Sequence, residues 1–285
     1  MERDELRLRM FVAGDELRLR EFVAGEEPAY VAGEERAHGA GYVERPVHAA
    51  LAGRVVCTWI DVGGQPRHPV LPDACIDLVW DGATVFVAGP DTRAVPIESQ
   101  TTFVGIRFRP GAAPGFLSVA ASELLDRSVP LKALWGRSCD ELADRLTGQE
   151  PAVVADRLEQ ALLDRHASAR AMDPLVEQVV HGLSRLDPQS ERVAELVADL
   201  GVSERTLRRR CTVALGYGPK TLERILRFRR ALRLLRRGYP LADVAHQAGY
   251  ADQAHLTNEC QRLANTTPAT LAHAERVSLS ANGCD

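Results

Sequence analysis

Apolar residues recur at helical spacing in two short segments near the C-terminus, and each segment ends at a glycine. Gly201 and Gly249 supply these glycines, which can reverse the chain without a Cβ clash. A further helical pattern then begins in each segment, with Leu207 or Leu256 pointing inward. The pattern predicts two helix-turn-helix units. Their first-helix core stripes are Val193, Leu196, Val197 and Leu200, and Leu241, Val244, Ala245 and Ala248.

The two units repeat almost in register along the chain. Ser203 and Asp252 precede the second helices, where a side-chain oxygen can cap the first-turn amides. In a helix-turn-helix unit this second helix enters the major groove, so we expect a duplicated DNA-reading element. The spacing is 48 positions between Gly201 and Gly249, and 49 between Leu207 and Leu256 and between Pro219 and Pro268.

A long arginine-rich helix is predicted between the units. Pro219 suits its first turn, and Gly238 and Pro240 stop it after about Arg237. Two apolar stripes suit a helix buried between two small cores: Leu222, Ile225 and Leu232 form one, and Phe228, Ala231 and Leu235 form the other. The polar surface of this helix can either contact DNA phosphates or remain a solvated basic face. Its residues are Arg224, Arg227, Arg229, Arg230, Arg233, Arg236 and Arg237.

The N-terminal half changes to short runs rich in Val, Ile, Phe and Trp, separated by Gly and Pro turn signals. The runs are 54–62, 74–80, 84–88 and 101–109, and Asp81-Gly82 suits a hairpin turn. Such strands predict a small barrel or sandwich. Helical patterns follow at 114–125, 139–147, 151–166 and 173–186, and Asp173-Pro174 and Asp187-Pro188 are predicted helix starts. We therefore predict an α+β chain, with a β-domain plus helices followed by an all-α domain.

Two near-identical eleven-residue copies open the chain, at 4–14 and 15–25, with an echo at 29–33. These copies are too few for a solenoid, so we interpret them as a loosely ordered extension or a recent duplication. The predicted divisions are a charged extension at 1–41, a sensor or dimerisation domain with a helical linker at 42–168, a DNA-binding domain at 169–277 and a tail at 278–285.

The charged residues are unevenly distributed along the chain. The whole chain carries a formal net charge of −4, but residues 191–277 carry +6 and residues 1–190 carry −9. A basic module beside an acidic one is expected when only one part meets DNA.

The cysteines, the histidines and the lack of long apolar runs indicate the cellular environment and the chemistry to expect. The six cysteines (57, 75, 139, 211, 260 and 284) are dispersed without a C-x-x-C pair, which favours reduced thiols and leaves a redox or metal sensor open. No apolar run approaches the roughly 18 residues of a membrane span, and the N-terminus has no signal-peptide pattern. We expect a cytoplasmic protein. His38, His48 and His68 are scattered, so we expect no metal site and no cofactor.

Residues 175–276 resemble the DNA-binding domain of the AraC/XylS transcription regulators. The motifs are A-x-x-x-G-Y at 245–250, F-R-R-A-L-R-L-L at 228–235, and the closing turns at 216–219 and 265–268. The resemblance implies two reading helices that enter adjacent major-groove segments, roughly 34 Å apart. The chain departs from the family pattern at Val197 (usually alanine), Asn265 (glycine), Asn258 (arginine) and Cys260 (phenylalanine).

The N-terminal half is similar to a small cupin-like domain found on some AraC regulators. The similarity rests on residues 71–80, 88–92 and 104–111, and it implies effector sensing, dimerisation or both. The candidate effector pocket consists of Trp59, Asp77, Trp80, Arg107 and Arg109.

The DNA-binding resemblance also implies contact residues. We expect base contacts from Arg205, Thr206, Arg208, Arg209, Gln253, His255 and Asn258. We expect phosphate contacts from Ser203, Arg210, Lys220, Arg224, Arg227, Thr257 and Thr267.

The predicted function is sequence-specific transcription regulation, without enzymatic activity. The expected partners are double-stranded promoter DNA and RNA polymerase, with a small-molecule effector or a second copy of the chain as modulator, and no membrane. One alternative is a DNA-modifying or repair enzyme with the same reading domain, but no cysteine stands in a P-C-H-R-like setting. Another alternative is an architectural DNA-binding protein that responds to no effector.

Overall fold

The structure is a computed structural model that describes residues 36–37, 41–63, 69–97, 101–185, 193 and 200–273. Several sequence predictions fall outside the described residues. They are the eleven-residue copies, His38, His68, Leu196, Val197, the predicted helix start at Asp187-Pro188, Cys284 and the C-terminal tail.

The described strands form one seven-stranded antiparallel sheet in the order β1-β2-β3-β6-β4-β5-β7. Asp81 closes the β4–β5 hairpin, because its carboxylate accepts from the amides of Ala83 (2.9 Å) and Thr84 (2.7 Å). The four predicted strand runs are confirmed. The strands are β1 Arg36–Ala37, β2 Tyr42–Arg45, β3 Val55–Asp61, β4 Ile76–Trp80, β5 Val85–Ala88, β6 Phe103–Phe108 and β7 Ser128–Pro130.

A helical layer covers one face of the sheet and forms the N-terminal core. Alternate strand residues such as Leu78, Trp80 and Ile106 enter this core together with Phe116 and Leu158 from the helices. The helices are α1 Ala113–Leu117, α2 Lys132–Trp135, α3 Arg137–Leu146 and α4 Pro151–His166.

The helix predicted over 114–125 is wrong in its second half. α1 ends at Leu117 because Ser118 takes a left-handed conformation with φ 58°. A 3₁₀ turn follows at Ala121–Glu123, and the chain then forms the edge strand β7. Ala121 and Leu124 are both buried in the N-terminal core, so the chain bends to bring them inward instead of continuing as a helix.

The C-terminal half is helical and contains two separate cores. Its helices are α5 Pro174–Arg185, α6 Glu204–Leu215, α7 Pro219–Arg236, α8 Leu241–Ala248 and α9 Gln253–Ala264, and residues 268–273 are also helical. The first core contains Leu207 with residues of α5 and α6, and the second contains Leu256 with residues of α8 and α9. The predicted long helix is confirmed as α7, which contributes to both cores.

One apolar residue of α7, Leu232, packs in a different core from the one predicted. Leu222 and Ile225 pack in the first core as expected, but Leu232 packs in the second with Phe228 and Leu235. At a rise of 1.5 Å per residue, Leu232 stands about 15 Å along the axis from Leu222, beyond the first core. Which core an apolar residue of α7 enters therefore depends on its position along the helix as well as on the face of the helix that it occupies.

The sheet domain packs directly against the helical half. Gly216, the left-handed C-cap of α6 (φ 89°), lies against the sheet domain so closely that a Cβ there would stand 2.7 Å from Cγ of Pro90. Near the second core, the amide of Ala94 donates to the carbonyl of Leu263 in α9 at 2.7 Å. The described residues thus form one body in which the sheet touches both helix-turn-helix units.

Replacing Gly216 with alanine should destabilise the protein in two ways. The Cβ disfavours the left-handed turn and collides with Pro90, so we expect a loss of more than about 1 kcal/mol in the free energy of unfolding. Gly238→Ala is the matched control, since it has φ 78° but no atom within 4 Å of an added Cβ. Equal losses in urea denaturation of the two variants would show that the contact with Pro90 is unimportant.

Candidate DNA-binding surface

The helix predicted as the first reading helix, α6, begins at a side-chain cap, and its residues Arg205, Arg208 and Arg209 are exposed. The amide of Thr206 donates to the Ser203 hydroxyl at 3.2 Å, which satisfies one first-turn N–H, and the Ser203 hydroxyl contacts the Thr206 hydroxyl at 2.9 Å. Leu207 and Cys211 are fully buried and hold the opposite side of the helix. The exposed positions Arg205, Arg208 and Arg209 share one face by their i, i+3 and i+4 spacing.

Arg210 serves a different purpose from its neighbours on α6. Its guanidinium binds the carboxylate of Asp173 through two hydrogen bonds. Asp173 also caps α5, as the sequence predicts, by accepting from the amide of Leu175 at 2.9 Å. Burial raises the pKa of Asp173, but the hydrogen bonds from Arg210 and Leu175 outweigh it and hold this pKa below its ordinary value. This ion pair fastens α6 to α5, so the phosphate contact expected of Arg210 would have to compete with Asp173.

The helix predicted as the second reading helix, α9, also begins at a side-chain cap but has a different surface. Asp252 accepts from the amide of His255 at 2.7 Å. The His255 ring is half-buried, lies edge-on to Tyr250 and accepts at Nδ1 from the amide of Ala251. The Thr257 hydroxyl donates to the carbonyl of Gln253 at 2.8 Å. Of the predicted base-contacting residues on α9, the two that are exposed are therefore Gln253 and Asn258.

Two exposed residues on α9 were not among the sequence candidates. Gln261 and Arg262 follow Asn258 at i+3 and i+4, so all three share a face. This helical spacing from Asn258, a predicted base-contacting residue, is the sequence signal that could have found them. This face places a cation at the C-terminal end of α9, although Asn258 replaces the arginine usual in the family.

The arginines of α7 are mostly used inside the protein. Arg224 forms a forked ion pair with the buried Glu259 of α9, at 3.1 and 3.2 Å. Arg227 donates to the carbonyl of Gly249 at 3.3 Å, and its guanidinium lies 5.3 Å from the centre of the Tyr250 ring. Arg230 is itself buried. These residues fasten α7 to the second unit.

Two further predicted phosphate contacts lie beside helix starts. Lys220 is exposed in the first turn of α7. Thr267 caps the last helical segment, since its hydroxyl accepts from the amide of Thr270 at 3.2 Å.

The structure brings together three of the five predicted effector-pocket residues. Trp59 of β3, Asp77 of β4 and Arg107 of β6 lie on the sheet face opposite the helical layer, because Trp59 pairs with Gly105 and Asp77 pairs with Arg107. Arg107 binds Asp77 at 3.2 Å and Glu44 at 3.3 Å. Burial raises the pKa of Asp77 to about 6, although Arg107 opposes this shift.

The other two pocket candidates lie elsewhere. Trp80 is three residues from Asp77, so it faces the opposite side of the sheet and is buried in the N-terminal core. Arg109 lies past the end of β6 and donates to the carbonyl of Ala52 at 2.9 Å. Placing Trp80 and Arg109 in one pocket with Trp59 was therefore wrong.

Comparison with known proteins assigns the helical half. Residues 196–274 match the family described as "Helix-turn-helix domain". A Streptomyces antibioticus protein described as an AraC-like transcription regulator is 37% identical over 99 residues. The helical half of the chain is therefore similar to the DNA-binding helix-turn-helix domain of AraC-type regulators. That alignment covers 34% of this chain and 32% of the relative, so the chain matches about a third of the relative's length. Residues 44–130 match a domain of unknown function, DUF6597.

Solved structures of AraC-family proteins also resemble the chain. The DNA-binding domain of AdpA, solved with a target DNA, is 30% identical and covers 37% of this chain and 95% of its own, with a TM-score of 0.34. ToxT from Vibrio cholerae is 10% identical and covers 86% of this chain and 94% of its own, with a TM-score of 0.40.

The enzyme alternative calls for a nucleophilic cysteine or a metal cluster, and the described residues can be compared with that requirement. The five described cysteines are buried, and burial raises the pKa of Cys57 and Cys260 to about 12 and of Cys211 to about 11. Such thiols are poor nucleophiles because the thiolate form is disfavoured. No cluster of three metal-binding side chains occurs in the described ranges, and no described helix is long and apolar enough to cross a membrane.

Breaking the Arg224–Glu259 pair should destabilise the protein more than removing the whole pair. Arg224→Met leaves Glu259 buried without its cation, and we expect a loss of about 3 kcal/mol in unfolding free energy. The double variant Arg224→Met, Glu259→Met should recover most of that loss because neither charge then remains. A double-mutant cycle by urea denaturation measures the coupling. Strictly additive losses would show that the two residues act independently.

Proposed function

We propose that this chain regulates transcription by binding promoter DNA sequence-specifically, with α6 and α9 as its two reading helices. The observation that carries the proposal is the helix-turn-helix match over residues 196–274, together with two reading helices that are each capped and turn polar faces to solvent. Both helices bury a leucine at the same position, Leu207 and Leu256, so each presents an equivalent face to a groove.

For base readout we propose the residues implied by the family resemblance. Arginine suits guanine through a bidentate contact, so Arg205, Arg208 and Arg209 are the candidates on α6. Gln253 and Asn258 suit adenine on α9. Thr206 and His255 complete the set, but each is half-buried and engaged within the protein and so needs to rearrange to reach a base.

For backbone contact we propose Lys220 as the principal side chain. It is exposed beside the start of α7, and its charge is not used in an ion pair described in this structure. The capped starts of the reading helices add Ser203 and free amides near the phosphates. Arg210, Arg224, Arg227, Thr257 and Thr267 stay in the proposed set, although each also has a contact within the protein.

We propose that the sheet domain modulates DNA binding, either through a small-molecule effector or through pairing of two copies. An effector regulates only if it binds two states of the protein with different affinity. The direct packing of the sheet on both helix-turn-helix units supports this role, because a change in the sheet can reach the reading helices through contact alone. RNA polymerase is the expected partner at a promoter.

Footprinting of the full-length chain on genomic DNA tests the function. Protection of a few sites that share a sequence supports a specific regulator. Uniform protection would favour the architectural alternative, and no protection would contradict DNA binding. The protected sites also provide the operator needed for the next two measurements.

Arg208→Ala and Arg209→Ala should each weaken operator binding by about 1–3 kcal/mol and relax the preference at one base pair. The physical reason is the loss of a bidentate contact with a guanine edge. Arg137→Ala is the control, since Arg137 is exposed on α3 in the N-terminal domain. Competition binding against operators substituted at single positions measures both effects. If both variants keep full affinity and selectivity at physiological salt, these arginines do not read bases.

Lys220→Ala should weaken cognate and non-cognate binding alike. A phosphate contact releases counterions, so the slope of log affinity against log salt should become shallower by about 0.9. The other lysine of the chain provides the control, because Lys132 lies on α2 in the N-terminal domain. A Lys220→Ala protein that loses only cognate binding, with an unchanged slope, would point to base contact instead.

A further inference from the structure

Two loops of the sheet domain lie side by side and meet the helical half together. They are residues 70–75, which lead into β4, and residues 90–95, which follow β5; we refer to them as the paired loops. A single β-bridge joins them, with the amide of Val70 donating to the carbonyl of Val95 at 2.8 Å and the reverse bond at 2.9 Å. The paired loops therefore move as one element.

The first of the paired loops touches both helix-turn-helix cores. Leu71 packs against the second core, whereas Ala74 is buried in the first. Between them, the carbonyl of Asp73 accepts from Arg229 of α7 at 3.0 Å. Arg229 follows Phe228, the first α7 residue of the second core, so this bond lies where α7 passes from one core to the other.

The second of the paired loops touches both reading helices at their C-terminal ends. Pro90 lies against Gly216, which caps α6, and the amide of Ala94 donates to Leu263 in the last turn of α9. The N-terminal caps of both helices lie at their other ends, where the proposed DNA contacts begin. The sheet domain thus holds both reading helices by the ends that face away from those caps.

The first loop is fixed to the sheet in a defined shape. Ala74 has φ 69°, a left-handed conformation that disfavours a residue with a Cβ. The Asp73 carboxylate holds the turn by accepting from the amide of Cys75 at 2.9 Å, and it also lies 3.6 Å from Arg107 on β6. Because the first loop is held in this shape by the sheet, the helices that contact it are placed relative to the sheet, and the loop does not adjust its shape to them.

We propose that the paired loops set the relative placement of the two helix-turn-helix units, and thereby the spacing between the two DNA segments that the chain accepts. Among the described helices, α7 contributes residues to both cores and joins them in series. The paired loops add a second connection, because Leu71 and Ala74 of the first loop contact the two cores directly. Leu71, Ala74 and Pro90 are accordingly positioning residues. The DNA part of this proposal rests on the proposed function, whereas the placement of the two units does not.

Spin labels on the two reading helices test the placement directly. Val213 of α6 and Arg262 of α9 are both exposed and occupy equivalent positions 49 residues apart. Val213→Cys and Arg262→Cys, in a Cys284→Ser background, would be labelled in the full-length chain. Electron–electron double resonance then gives the distribution of the label–label distance. We expect one narrow distribution in the parent.

Two variants that break contacts of the paired loops should broaden the distribution of the label–label distance, and we call them the loop variants. Leu71→Ala removes the packing on the second core, and Arg229→Met removes the bond to Asp73 but keeps an apolar stem. Leu134→Ala is the matched control, because it truncates a partly buried leucine in the N-terminal core away from the paired loops. A distribution as narrow in both folded loop variants as in the parent would overturn the proposal.

The second measurement is how operator affinity depends on the spacing between the two recognised DNA segments. Inserting one base pair between the two recognised segments of the operator shifts them by about 3.4 Å, and we expect it to cost the parent at least about tenfold in affinity. The loop variants should lose clearly less on insertion. An unchanged insertion penalty in both variants would count against the proposal. If the parent selects no operator, the proposed function fails, and the label distances alone still decide whether the paired loops position the units.

Discussion

The long helix α7 has to be buried in two places, and the C-terminal half is arranged around this requirement. Leu222 and Ile225 belong to the first core, whereas Phe228 and Leu235 belong to the second. A helix buried between two cores cannot leave its long polar side chains in the interior without partners. Arg224, Arg227 and Arg229 accordingly donate to acceptors within the protein, and these bonds connect the helix to its surroundings.

The same residue type consequently has two different uses in neighbouring helices. On α7, Arg224 binds Glu259 and Arg227 binds the carbonyl of Gly249, so these cations are committed to the fold. On α6, Arg208 and Arg209 are exposed beside a buried leucine and are available to a ligand. Part of the net charge of +6 in residues 191–277 is thus bound within the protein, because Arg227 binds a neutral carbonyl and Arg210 pairs with Asp173, which lies outside that range.

The sheet domain shows the same segregation by face. Leu78 and Trp80 face the helical layer, while Asp77 and Arg107 face the other side. Strand alternation imposes this division, and it gives one side a dry core and the other a partly buried ionic cluster. Because the sheet also packs on both helix-turn-helix units, the domain that we propose as the modulator is in physical contact with the helices that we propose to read DNA.

Local signals in the sequence were sufficient for several elements. The β4–β5 hairpin follows from Asp81-Gly82 and its flanking apolar runs, and the helix caps follow from Ser203, Asp252 and Asp173. These features depend on backbone geometry and side chains within a few residues, so periodicity and residue type reveal them. The duplicated pattern likewise predicted two equivalent reading helices without reference to any long-range contact.

The sequence by itself determined where four of the strands and most of the longer helices lie, and that a helix-turn-helix pattern is repeated, because these depend on local interactions. Only the tertiary structure decided which core receives Leu232, which face of the sheet carries Trp80 and which arginines are already paired. Those outcomes depend on contacts between residues far apart in the chain, such as Arg229 with Asp73. Burial and pairing are properties of the assembled fold, and no local pattern specifies the partner.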